Sequence, residues 1–369
     1  MPRSTDHKQG VVLLDTRQHT PEHEHSVHLK LAERLAQLLH TNVVVPTEPP
    51  TEHSNFYFLP TETLIDPARY QQMGIASAQD LFGGVVTRPY MATKAISHPL
   101  PANARYPLGW TDDFARQASD ALLSGYTVFS LEDARRAAAL LLHNGPLRIK
   151  PVRATAGRGQ TVATSMDEVE QALKDQNEKE LSLWGLTLEE NLTQVQTYSV
   201  GQVFVAGILC SYYGTQQLTH DHAGEEIYGG SDLVLVRGDY DILLQLELED
   251  PLRLAITQAR TYEQAALQNF PGFIASRRNY DVARGLNSQD KLRSGVLEQS
   301  WRMGGASSAE ILALQAFAAD PALTRIRAST HEAFDAPALP ADATIFYQGD
   351  DSELGRICKY ARLRDYDHP

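Results

Sequence analysis

The stretch SGVLEQSWRMGGASSAEILAL, starting at Ser294, ends an apolar run with a carboxylate, Glu298, and follows it with Arg302 and the pair Gly304–Gly305 just before a helix start. A segment that serves only a core has no use for that order. As a surface ion pair at i, i+4, Glu298 and Arg302 would contribute well under ~1 kcal/mol, and such a pair does not explain why an acid closes an apolar strand. A second acid, Asp281, lies in RRNYDVARG. A hairpin across GLNSQDK turns both acids the same way from neighbouring strands. Two carboxylates held together repel unless a divalent cation lies between them. Mg2+ (or Mn2+) suits the pattern, because Mg2+ takes one or two carboxylates and completes its shell with substrate phosphates. Arg302 can then hold a phosphate or carboxylate through two parallel hydrogen bonds.

Phosphate chemistry is suggested upstream, in RIKPVRATAGRGQTVAT from Arg148. Lys150 sits near a strand end and supplies a point charge. Gly157 and Gly159 follow in a short loop with Arg158 and Gln160, and glycines let backbone N–H groups approach an anion closely. TVAT reads as a returning strand, which excludes a P-loop leading into a helix, and the third glycine of a dinucleotide fingerprint is missing. What remains is a β-hairpin flap over phosphates, or a plain turn. In LTLEENL, Glu189 and Glu190 end an apolar strand, where a carboxylate can hold ribose hydroxyls; two solvated acids are the alternative. Tyr213 and Ser231 belong to Tyr- and Gly-rich strands that could shape an acceptor pocket, although such strands more often serve packing. Arg277 and Arg278 are adjacent and point opposite ways on a strand, so at most one faces a ligand. The HEH at His23 and HDH at His220 have i, i+2 spacing in polar loops and read as coincidence rather than metal sites.

The elements that must position these residues form an α/β pattern. GVVLLD, a helix from Ser26 with Val27, Leu31, Leu35 and Leu38 on one face, and the short strands NVVVP and NFYFLP give a βαβ order over residues 1–105. The connection HPLPANARYPLGW leads to a helix capped by Ser130 and Asp133 and ended at Gly145. LRIKPV reads as a strand and SMDEVEQALKD as a capped helix. From Leu186 the pattern is an antiparallel meander, then a helix over 251–268 and the hairpin that carries the acids. Ser307 and Glu310 are spaced as a capping box. The tail, residues 331–369, is proline-rich and weakly strand-like at ATIFYQG.

Composition narrows the function. The chain has 369 residues, and 33 Lys plus Arg against 46 Asp plus Glu give a formal charge of -13, which disfavours nucleic acid as a partner. No run reaches the roughly 18–20 apolar residues of a membrane span. Cys210 and Cys358 have no metal-ligand spacing and read as reduced thiols of a cytoplasmic protein. A homodimer is the default assembly.

The motifs in order, Lys150 with its glycine flap, LTLEENL, Asp281 and Glu298-x-Ser300-x-Arg302-x-Gly-Gly, resemble the ATP-grasp superfamily over roughly residues 106–320. The resemblance implies an ATP-grasp fold preceded by a Rossmann-like domain at 1–105. A first subdomain with the flap would span 106–185 and a second with the metal site 186–330, with the tail packing on the core. It implies that Lys150 contacts ATP phosphates and that Gly157 to Gln160 form the flap. Glu189 and Glu190 would flank the adenosine, Asp281 and Glu298 would hold Mg2+, and Arg302 would stabilise the transferring phosphoryl group. Ser300 stands where the family has asparagine, at a metal-ligand position, and Lys94 is the nearest candidate for a further nucleotide-binding lysine. Arg277, Arg278, Tyr213, Ser231, Gly304 and Gly305 are candidates for substrate contact. The implied activity is an ADP-forming ligase that joins a small carboxylate to an amine through an acyl phosphate. A kinase, a carboxylase-like enzyme and a non-catalytic nucleotide-binding protein are the alternatives.

Overall fold

The computed structural model describes residues 7–17, 19–151, 160–222, 224, 226–334 and 338–366. In chain order its strands begin with β1 (Val11–Leu14), β2 (Tyr57–Pro60), β3 (Leu64–Ile65) and β4 (Gly84–Val86). A middle group follows: β5 (Gly125–Val128), β6 (Leu147–Pro151), β7 (Thr161–Ala163) and β8 (Leu186–Glu190). The long strands come next, β9 (Thr193–Val205), β10 (Ile208–His220) and β11 (Glu226–Arg237). After them come β12 (Ile274–Ala275), β13 (Arg277–Leu286), β14 (Leu292–Ser300), β15 (Arg325–Phe334), β16 (Thr344–Asp351) and β17 (Gly355–Arg364).

An eight-stranded antiparallel sheet, ordered β14-β13-β9-β10-β11-β15-β17-β16, dominates the molecule. A four-stranded antiparallel sheet, β5-β8-β6-β7, lies apart from it, and β12-β4-β3 make a small third sheet. The βαβ order at the start gives a parallel pair, β1 and β2, with single bridges at Val43 and Leu81 on its flanks. This is a smaller parallel sheet than a Rossmann-like unit. NVVVP contributes only the Val43 bridge; Val45 is exposed, and Pro46 follows it.

Helix signals read from the chain are largely met. The helix Leu131–Leu142 is capped by Ser130 Oγ, which accepts from Asp133 N at 3.1 Å, and Gly145 follows at φ +138°. The helix Glu22–Leu38 starts a turn earlier than Ser26, with Glu22 and Glu24 in its first turn, where acids favour the helix dipole. The expected capping box at Ser307 does not form. Ser307 Oγ instead accepts from Gly304 N at 3.0 Å, and Glu310 is buried on an arginine, because the helix Ser307–Ala319 is enclosed on most sides.

The tail is more than a covering. β17 inserts between β15 and β16, so 344–364 completes the large sheet. One core cluster joins Val11, Leu31 and Leu35 of the N-terminal unit to Ile311, Leu314 and Phe317 and to Phe346 and Ala361 of the last strands. The first 105 residues therefore share their interior with the C-terminal end. Cys210 and Cys358 are buried and unpaired. Among the described residues, no helix is long and apolar enough to cross a membrane.

Candidate active site

A cavity of about 1080 Å³ is lined by the four-stranded sheet, one face of the eight-stranded sheet and the N-terminal helix. Its floor comes from β13 and β14. Asp281 pairs in register with Glu298, and Asn279 with Ser300. The ladder slips by one residue here: Val282 faces Val296, leaving Leu297 as the extra residue of a bulge. The slip sets Glu298, Ser300 and Arg302 along the cavity, while Gln299 and Trp301 turn into the core.

The two acids differ in state. Burial, then the charge of Glu298, pushes the Asp281 carboxyl well above its usual range, although Gln216 Nε2 donates to it at 2.7 Å. Burial also works against ionised Glu298, but Lys94 outweighs it, with Nζ 2.5 Å from Oε2. Lys94 is buried in a short 3-10 turn and meets the acid pair; it is not among the residues that line the cavity. The repulsion left on Asp281 fits a divalent cation between the two carboxylates. Among the described residues no group of three or more His, Cys, Asp or Glu forms a metal cluster.

Lys150 projects from β6 and forms an ion pair with Glu189 of β8. The other oxygen of Glu189 lies 3.2 Å from His98 Nε2. Burial would raise the Glu189 carboxyl, yet Lys150 and His98 hold it down, to about 2. Both oxygens of Glu189, expected to flank the adenosine, thus have protein partners. Glu190 lines the same wall; its Oε1 accepts from Arg293 Nε and Ser124 N, each at 2.9 Å. Gln160 lines the cavity and accepts from Arg148 Nη1 at 3.3 Å. Gly157, Arg158 and Gly159 lie outside the described residues.

At the other wall Arg277 is fully buried against Glu310, at 2.9 Å. It also donates to Ser300 Oγ at 3.0 Å and to Arg302 O at 2.6 Å. The Ser300 hydroxyl, expected at a metal-ligand position, thus already accepts from a guanidinium. Arg277 lines the cavity; Arg278 turns to the opposite face, onto Glu263 and Gln202, as alternation on a strand requires. Tyr213 also points away, into the cluster around Val200 and Val236. Ser231, Gly304, Gly305 and Arg302 do line the cavity. Arg302 Nη1 donates to Met303 O at 2.8 Å. His23 sits 3.0 Å from Asp351, an ordinary structural contact.

His98 and Glu310 were not foreseen. His98 stood at the start of a proline-rich connection, and nothing local marks it as the partner of an acid ninety residues away. Glu310 carried a competing local signal, its spacing from Ser307.

Comparison with known proteins gives one family. The model described as Protein of unknown function (DUF3182) matches residues 11–361. No curated protein matches. Similar solved structures include D-alanyl-alanine synthetase A from Vibrio cholerae O1 biovar eltor str. N16961, with 11% identity, a TM-score of 0.41, and coverage of 79% of this chain and 89% of that one. The D-cycloserine synthetase DcsG is similar at 11% identity and a TM-score of 0.43, covering 84% of this chain and 99% of that one. These likenesses are distant, and the functional reading rests on the cavity itself.

Proposed function

The chain belongs to the DUF3182 family, and we propose that it is an ATP- and Mg2+-dependent ligase joining a small carboxylate to an amine or similar nucleophile. The observation that carries this reading is the register pairing of Asp281 with Glu298 on the floor of a cavity that also holds Lys150 and Arg302. Mg2+ bound at the two acids would offset phosphate charge and orient the γ-phosphate. Lys150, steadied by Glu189 and His98, supplies a fixed positive charge beside the phosphates. Arg302 offers the planar donor set that a transferring phosphoryl group or an acyl phosphate needs. The substrate carboxylate attacks the γ-phosphate, ADP leaves, and the nucleophile then displaces phosphate. No enzyme nucleophile is required, and both cysteines are buried. The protein's part is positioning and charge stabilisation, which strands locked in a large sheet do well.

The test is ADP release with Mg-ATP across a panel of acids and amines. ADP that depends on both substrates, and is lost in Lys150→Ala, supports the ligase. Absence of ADP throughout, with nucleotide binding untouched by Lys150→Ala, rejects it. A second reading, nucleotide binding without turnover, draws on Lys94 already seated on Glu298 and on Ser300 bound by Arg277. It predicts Mg-ATP binding in calorimetry with no hydrolysis under any acceptor.

A further inference from the structure

The loop after β1 carries a cation that the proposed chemistry leaves unused. Asp15 fixes this loop: its carboxylate accepts from Arg17 N at 3.2 Å, Thr20 Oγ1 at 2.8 Å and Thr61 Oγ1 at 3.0 Å. The loop so held sets Arg17 on the wall that the N-terminal unit gives to the cavity, beside Glu24 and His28. Arg17 Nη1 donates to Glu24 Oε2 at 2.5 Å. Its Nε and Nη2 are buried and have no hydrogen-bond partner among the described residues. These two N–H groups form one edge of the guanidinium, the edge that takes a carboxylate through parallel bonds. Buried donors on a charged group are unfavourable when left alone, so their persistence points to a ligand.

The neighbours agree. His28 Nδ1 is also buried without a partner among the described residues. Burial, then Arg17, pulls the His28 pKa down to about 4, so at neutral pH the ring is uncharged and has one N–H to give. Arg302 lies close enough for its charge and that of Arg17 to repel, with Glu24 offsetting. Arg277 and Glu298 also act on Arg302, and Lys359 on Glu24, so the anion is selected by the two-donor edge of Arg17 rather than by a charge count.

We propose that the free edge of Arg17, with His28 beside it, anchors a substrate carboxylate that is not the one activated. This deepens the ligase reading and rests on it only for the second carboxylate being the reacting one. The substrate class is then a dicarboxylic acid or an amino acid, not a simple monocarboxylate. Both Arg17 atoms are shielded, and Arg17 lines the cavity from which the anion would reach them.

Calorimetric titration of the full chain tests this, with succinate and glutarate, with alanine and glutamate, and with butanoate. Each is run with and without Mg2+ and a non-hydrolysable ATP analogue. Wild type should bind at least one dicarboxylate or amino acid and not butanoate, and which group binds identifies the source of the carboxylate. Arg17→Gln should weaken that binding roughly 30-fold or more, as loss of one partner from a buried charged pair does. Arg17→Lys keeps the charge without the two-donor edge and should fall between; it carries the test alone if Arg17→Gln does not fold. Analogue binding should be equal in wild type and both variants. Failure of the analogue to bind any of them rejects the ligase reading, while the carboxylate titration without nucleotide still decides the anchor. The proposal is overturned if no dicarboxylate or amino acid binds, or if the Arg17 variants bind them as wild type does.

Discussion

Glu189 is buried between Lys150 and His98, so its carboxylate and the lysine depend on each other. Removing one partner of a buried ion pair usually costs about 3–5 kcal/mol, and Glu189→Ala should lose that much in urea denaturation. The pH sign follows from a folded-state pKa of about 2 against an ordinary 4.5. A depressed carboxylate contributes stability that is full above the unfolded value and is lost as pH falls through the folded one. Stability should therefore fall between pH 4.5 and about 2, and Glu189→Gln should flatten that part of the profile. Asp281 has the opposite sign, since burial and Glu298 raise its pKa. Its ionisation works against folding once pH rises past the unfolded value. Asp281→Asn should thus stabilise the metal-free chain at neutral pH, give no gain in acid, and abolish any stabilisation by Mg2+; thermal unfolding with and without Mg2+ reads all three. The types and order of Lys150, Asp281, Glu298 and Arg302 were legible in the chain because each stands in a local pattern. The pairings of Lys94, His98 and Arg277 were not: Lys94 and His98 meet acids ninety or more residues away and Arg277 one 33 residues on, distances that leave no local trace.

At the scale of elements, the turn from β14 into the helix Ser307–Ala319 shows how little room the site allows. A Cβ added at Gly305 would meet the Tyr228 ring at 2.6 Å, and that ring is pinned through its hydroxyl by Ser231 at 2.8 Å and Thr330 at 3.1 Å. Gly305→Ala should cost about 1–3 kcal/mol, the usual range for overpacking. At Gly304 the nearest atom to an added Cβ is 3.8 Å away, so Gly304→Ala should stay within about 0.5 kcal/mol of wild type. Denaturant titration of the two variants side by side checks the contrast. The hairpin of β13 and β14 was readable from alternation, but its phase was not. Strict period two from Gly295 sends Leu297 to the cavity and Glu298 to the core. The bulge at Leu297 brings Glu298 to the cavity side beside it, and a bulge depends on the partner strand rather than on the bulged sequence alone. The same limit explains Ser307 and Glu310, whose capping-box spacing gave way to a buried arginine that only the assembled sheet brings near.

Across the whole molecule, the shared core ties both chain ends to the site. Residues 1–105 bury Val11, Leu31 and Leu35 against residues beyond 300, so the isolated fragment should show no cooperative unfolding transition by circular dichroism. A chain cut before β16 should behave likewise, because it loses Phe346, Ile357 and Ala361 from the interior. The tail read as a covering because a proline-rich stretch precedes it and its strands pair only with β15 and each other. The central claim is that Asp281 and Glu298 hold a divalent cation against nucleotide phosphates. Calorimetric titration of a non-hydrolysable ATP analogue, with Mg2+ and with chelator, tests it most directly in wild type, Asp281→Asn and Glu298→Gln. The account predicts tighter binding with Mg2+ in wild type and the loss of that Mg2+ dependence in both variants. Binding that is the same with Mg2+ and chelator in wild type, or a Mg2+ dependence that survives in the variants, would contradict it.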